Sequence, residues 1–308
     1  MFRKTWPVLL LLFVSLASYA QDSFGDNIQI LLSPGDSLRR LGLVNGAIKL
    51  YRQRYQEDAG DIVNAYNYSC AFAVSKQIDS AFKYLRPAIE KDSTLQALVD
   101  PDLIHLYNDE RWNEIQNEII EKFQLKSGKL KKVELAKKLL EIKALDQAYL
   151  EEIDQAQEKM GRDCAVVDAL WDLKDRINKK NLKEVEEIIT SNTWPKISDV
   201  GTEGAEAVFL VIQHADINAQ KKYLPVIKKL CEDNEAPCEN YALMYDRVEV
   251  AENNRQLYGT QVKWSTNANK YVLYPIVDEK NVDERRLHLG LMPIAQYLIT
   301  FGIQYKPQ

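Results

Sequence analysis

"NAYNYSCAFAVSKQIDSAFKYLRPAIEKDS", residues 64–93, decides what kind of chain this is. Apolar or small residues recur at Tyr68, Ser69 and Phe72, and again at Ala81, Leu85 and Ala88. Each set follows the three-to-four-residue period of one helix face. "SKQID" between the two runs is turn material. The stretch therefore reads as an amphipathic helical hairpin, with small residues where the two helices must approach closely.

Working outward, "SLRRLGLVNGAIKLYRQRY" (37–55) supplies a partial unit before the hairpin, weakened as a helix by Gly42 and Gly46. The hairpin resembles a tetratricopeptide repeat, with Ala65, Tyr68, Ser69, Phe72, Ala81, Leu85 and Ala88 at that family's key positions. Ala65 stands where the family usually has tryptophan, and Ser69 where it has a smaller residue. "DPDLIHLYNDERWNEI" (100–115) is similar to the close of such repeats in exported bacterial proteins. Repeats bury their faces against neighbours, and about three are the usual minimum, so this domain is expected to lean on the helices C-terminal to it.

The first twenty residues have the form of a signal peptide. Arg3 and Lys4 precede the apolar run "WPVLLLLFVSLA", which is short for a bilayer span, and Ser18-Tyr19-Ala20 offers small residues for cleavage before Gln21. An uncleaved anchor is the alternative. The expected product is exported, periplasmic or secreted, with no transmembrane anchor after cleavage. The formal net charge is −5, and cleavage makes it more negative by removing two basic residues. That balance argues against nucleic acid and anionic membranes as partners. The basic run "KLKKVELAKK" (129–138) is followed by Glu141, Asp146, Glu151 and Glu152, and reads as a solvated helix face.

Of the four cysteines, Cys231 and Cys238 flank the loop "EDNEAP" and are placed to form a disulfide in an oxidising compartment. Spacing alone does not fix the connectivity. Cys70 and Cys164 lie in helical patterns and read as small buried residues. No metal site and no cofactor is expected, because no ligand-spaced Cys/His pairs and no phosphate-loop or nucleophile motif occur.

"LKSGK" (125–129) is the expected domain boundary. The organisation read from the sequence is a signal peptide (1–20), a tetratricopeptide-like helical domain (21–125) and a second helical domain (128–308). The second domain opens with one helix-favouring stretch from Leu130 to about Met160, followed by "CAVVDALWDLKDRINKKNLKEVEEIITSN" (164–192). "EGAEAVFLVIQHAD" (203–216) is apolar on every side over Ala207–Ile212 and reads as the central helix. After Asn254 the pattern becomes strand-like. "QLYGTQVKW" and "KYVLYPIV", joined by "STNAN", predict one small β-hairpin. The fold class expected is mainly α: a helical-repeat-like N-terminal domain, then a helical domain with that hairpin.

"TWPKISDVGTEGAEAVFLVIQHAD", "YALMYDRVEV", "NRQLYGTQV" and "VDERRLHLGLMPIAQYL" occur in this order, and Asp146-Gln147 also looks like a family position. Together they resemble the domain-of-unknown-function family 6624 over roughly residues 130–300. Leu150 and Thr193 depart from an arginine and a glycine that the resemblance leads one to expect. The resemblance implies boundaries and no activity.

His214, Asp246 and Arg247 are the catalytic candidates. Gln213, Asp216, Gln256, Tyr258, Gln261, Arg285 and Arg286 are the ligand-binding candidates. His214 ends the most apolar helix, where an imidazole can move protons. Asp246 and Arg247 interrupt an apolar stripe, so a buried Asp246 is expected to pair with an arginine. Arg285 and Arg286 have the fork geometry that holds a carboxylate or phosphate. The same groups are equally able to satisfy one another in a filled interior. Two function classes stand: an exported module that binds a protein or peptide, and an enzyme or small-ligand receptor around His214. Whether the chain is an enzyme is left open by its residues.

Overall fold

The computed structural model describes residues 33–306 apart from Lys91 and Thr266, so the expected signal peptide lies outside the described residues. The described chain is mainly helical, with thirteen α-helices and a two-stranded antiparallel hairpin. It divides into two compact units, 33–215 and 216–306.

In the first unit, α1 (Pro34–Arg40) begins with a capping box. Ser33 Oγ accepts from the Asp36 amide, and the Asp36 carboxylate accepts from the Ser33 amide. α2 (Val44–Glu57), α3 (Ile62–Val74) and α4 (Ile78–Ile89) come next. Asp61 caps α3 through the Asn64 amide. The hairpin read from residues 64–93 is formed by α3 and α4, turning at Lys76 with φ 58°. The small residue Ser69 does two jobs there: it lets the helices approach, and its hydroxyl donates to the Ala81 carbonyl at 2.9 Å.

Two 3-10 helices, Gln96–Leu98 and Pro101–Leu106, lead into α5 (Glu110–Ser127). Buried Tyr68, Leu85, Leu98, Leu103, Trp112 and Ile119 belong to one apolar cluster. Each such side chain contributes about 1.5–3 kcal/mol when removed from water. Leu140 of α6 (Val133–Gln147) belongs to the same cluster. The hairpins thus share their core with a helix beyond the expected boundary at 125–128, and the compact units divide at Asp216.

The helix-favouring stretch from Leu130 to Met160 forms two helices: α6, then α7 (Leu150–Met160). The break is at Ala148-Tyr149, where Tyr149 takes φ 68°. α8 (Ala165–Asn192) and α9 (Ile197–His214) complete the unit. α9 lies along α6, and α8 packs on both. Lys143 of α6 bridges Glu203 and Glu206 of α9, each at 2.6 Å. Gly201 kinks α9 at φ 78°. Beyond the kink, Ala207, Val208, Phe209, Val211 and Ile212 are buried.

In the second unit, α10 (Ile217–Glu232) and α11 (Cys238–Asn253) are antiparallel neighbours joined by the Cys231–Cys238 disulfide. Asp216 caps α10, its Oδ1 accepting from the Asn218 and Ala219 amides. Reduction should lower stability by about 2–3 kcal/mol through the larger entropy of the unfolded chain. A shift of the urea midpoint between oxidised and reduced protein measures it.

Asn254 ends α11 in the left-handed region. β1 (Val262–Ser265) pairs with β2 (Lys270–Leu273), with Val262 opposite Leu273 and Ser265 opposite Lys270. After a 3-10 turn at Glu279–Asn281, α12 (Val282–His288) and α13 (Ile294–Ile299) close the unit. Val282, Ile294, Tyr297 and Leu298 form one apolar cluster, against Val262, Leu273 and Ile276 of the hairpin region.

Candidate functional site

Of the candidates of the second unit, Asp246, Gln256, Tyr258, Gln261, Arg285 and Arg286 converge on the segment 256–261. The expected first strand begins only at Val262, and 256–261 is a loop touching the chain beyond β2 through one parallel bridge, Gln256 to Ile276. Alternation of side chains therefore does not govern the segment. Buried Asp246, on α11, governs it instead.

Asp246 Oδ1 accepts from the amides of Leu257 (2.7 Å) and Tyr258 (3.0 Å). Its Oδ2 accepts from the Thr260 amide and the Thr260 hydroxyl, both at 2.9 Å. The expected arginine partner is thus replaced by backbone donors, which carry enough positive partial charge to hold a buried carboxylate. Burial pushes the Asp246 carboxyl up and outweighs the opposite pull of the Tyr258, Thr260 and Leu257 amides.

Gln256 closes the loop from the other side. Its Oε1 accepts from the Gln261 amide at 2.7 Å, and its Nε2 donates to the Gln261 and Tyr274 carbonyls. Gln261 Nε2 donates to Thr260 Oγ1 at 3.0 Å. The two glutamines therefore meet, through side chain on backbone. The arginines serve the carbonyls. Arg286 donates from Nη1 to Tyr258 O and from Nε to Met292 O, each at 2.7 Å. Arg285 donates to the carbonyls of Leu257, Val277 and Asp278. The Arg286 fork is occupied by main chain, and the Arg285 fork by main chain and the Asp278 carboxylate at 3.2 Å, where the sequence suggests a ligand anion.

Tyr297 donates its hydroxyl to the Thr260 carbonyl, and the Arg286 guanidinium lies over its ring at 5.0 Å. Gly259 sits at φ 73°, and a Cβ there would lie 2.4 Å from Ile294 Cδ1. Only glycine fits that combination without strain. Tyr258 sets its ring edge-on to Tyr241 and Tyr245. Arg247 is half-buried, with its guanidinium deep enough that burial lowers its pKa to about 10.

His214 and Gln213 belong to the first unit, at the end of α9, and both are buried. His214 Nδ1 lies 2.9 Å from Oδ1 of Asp146, at the end of α6. Gln147 donates to Asp146 Oδ2, and Lys174 of α8 donates its ammonium to the Asp146 carbonyl. Burial opposes ionisation of Asp146, yet its interactions with His214 and Lys174 and the Gln147 hydrogen bond hold its carboxyl below the ordinary value. Burial lowers the Lys174 pKa despite Asp146. His214 Nε2 is buried and has no hydrogen-bond partner among the described residues.

The sequence family described as "Family of unknown function (DUF6624)" matches residues 133–306, more than half of the chain. The chain belongs to the DUF6624 family. No curated protein and no solved structure matches it. The DUF6624 region thus begins within the first unit and takes in both polar clusters.

Three participants of these clusters escaped the sequence reading. Thr260 and Tyr297 gave no signal, since a hydroxyl's partner depends on tertiary placement. Lys174 did give one: it stands four residues after Leu170 and three before Ile177, on the stripe expected to be buried. Among the described residues, no helix of this DUF6624 protein is long and apolar enough to cross a membrane.

Proposed function

We propose that this chain is an exported binding module whose helical hairpins take an acidic, aromatic-containing peptide segment of a protein partner. The observation that carries the reading is an aromatic rack across α2, α3 and α4. The Tyr84 ring lies 4.3 Å from Tyr68, 5.0 Å from Tyr55 and 5.6 Å from Phe72 between centroids, stacked on the last. Tyr55 and Tyr84 are half-buried, so part of the rack faces solvent. Its rim is basic on an acidic chain. Exposed Arg52 donates to the Tyr68 hydroxyl, Lys83 reaches over the Tyr84 ring, and exposed Lys49 lies one turn before Arg52. Preformed aromatic faces bind at low entropic cost, and flanking cations select acidic partners.

The tetratricopeptide-like spacing of the hairpin supports the same reading, since such repeats present binding surfaces. Export is supported by the form of residues 1–20 and by the Cys231–Cys238 bond. An enzymatic reading has less support, because the guanidinium forks of Arg285 and Arg286 hold main-chain carbonyls.

Panning a random peptide library on the full chain tests the proposal. Enriched peptides should be acidic and aromatic, and Arg52→Glu should weaken them by about tenfold. No common motif, or binding indifferent to Arg52→Glu and Tyr84→Ala, contradicts it.

A further inference from the structure

The pair Asp146–His214 has a geometry that packing alone does not explain. His214 and Asp146 are buried, as are Lys174 and Asn181 nearby on α8. Placing ionisable groups in an interior is costly unless each is paired. Three of the four are engaged: Asp146 by His214 and Gln147, Lys174 by the Asp146 carbonyl, and Asn181 by the Ile142 carbonyl. The exception is one atom. His214 Nε2 is buried with no hydrogen-bond partner among the described residues, whereas buried polar atoms in folded proteins almost always have one.

Proton placement says what that atom offers. The Asp146 carboxylate accepts from Nδ1–H, and in the singly protonated ring the lone pair then lies on Nε2. A carboxylate held on Nδ1 also fixes the ring orientation. The arrangement is a preorganised acceptor, backed by a carboxylate that is itself held in place.

We propose that Asp146 and His214 form a small-ligand site in which Nε2 of His214 accepts a hydrogen bond from an O–H or N–H group of the ligand. Asp146 is the positioning residue. The site is separate from the aromatic rack of the peptide-binding reading and stands or falls independently of it.

Diethyl pyrocarbonate tests the site on the intact chain, because it acylates only an imidazole nitrogen that has a lone pair and can be reached. Peptide mapping by mass spectrometry separates the chain's three histidines, and exposed His288 serves as the internal reference. The expected result is modification of His214 in the folded protein within about a hundredfold of the His288 rate. Asp146→Asn, with its fold checked by circular dichroism, should slow His214 by about tenfold relative to His288 by removing the carboxylate that orients the ring. A closed structural histidine reacts only through global unfolding, which suppresses its rate by more than about a thousandfold. Suppression of that size in the wild-type chain overturns the proposal. So does an unchanged His214 rate in well-folded Asp146→Asn.

Discussion

Asp246→Ala is expected to cost about 3–5 kcal/mol of stability, as a large drop in the urea midpoint followed by circular dichroism. The substitution removes the acceptor for the Leu257, Tyr258 and Thr260 amides and for the Thr260 hydroxyl. These donors are held in the interior by the rest of the segment, and each unpaired one keeps its desolvation cost. Asp246→Asn should cost less, about 1–3 kcal/mol, because its carbonyl oxygen retains part of the acceptor capacity while its NH2 group faces donors. A loss below about 1 kcal/mol for alanine would mean that the carboxylate does not organise the loop.

Arg286→Ala is the second large effect, expected at about 3–4 kcal/mol by the same measurement. It strips the donors from the Tyr258 and Met292 carbonyls and removes the cation from the face of Tyr297. Arg286 is also among the largest fully buried side chains, so truncation leaves a void. Arg286→Lys should restore only part of the loss. An ammonium lacks the planar fork that reaches two carbonyls in fixed directions. Burial already lowers the Arg286 pKa, and a buried lysine is more easily neutralised still.

Asp246 and Arg286 work on the same six residues from opposite polarity, one taking amides and the other supplying donors to carbonyls. Their effects should therefore be non-additive, as expected for residues in one network. The unusual composition of 256–261 reflects this division of labour. Gly259 makes the turn at positive φ against Ile294, Gln256 substitutes for a strand partner, and Thr260 offers a second donor to the carboxylate.

The helical architecture was legible in the residues because periodicity records which face is buried. The hairpin of 64–93 reads directly from Tyr68, Ser69, Phe72, Ala81 and Leu85, and the small β-hairpin from the aromatic and β-branched residues flanking 265–269. The break at Tyr149 was not legible. Nothing in "IKALDQAYLEEID" contains a glycine or proline, and a tyrosine adopts φ 68° only when its surroundings enforce it.

The polar residues were legible as a set but not in their roles. Asp246 stands out as an acid within an apolar stripe, yet its partners lie 11–14 residues away in a loop whose course depends on the finished fold. Arginines adjacent in sequence suggest an anion site. Whether their forks meet a ligand or a main-chain carbonyl is decided by where the carbonyls of Leu257, Tyr258 and Met292 end up. Lys174 is the opposite case, since a lysine on a buried stripe by itself demands a buried partner.

The central claim is that segment 256–261 is a closed lock held by Asp246, Gln256, Arg285 and Arg286. Amide hydrogen exchange resolved at Leu257, Tyr258, Thr260 and Gln261 tests it most directly. The account predicts protection comparable to that of the interior amides of α11, because Asp246 and Gln256 hold all four amides. Exchange at the rate of an open loop would contradict it.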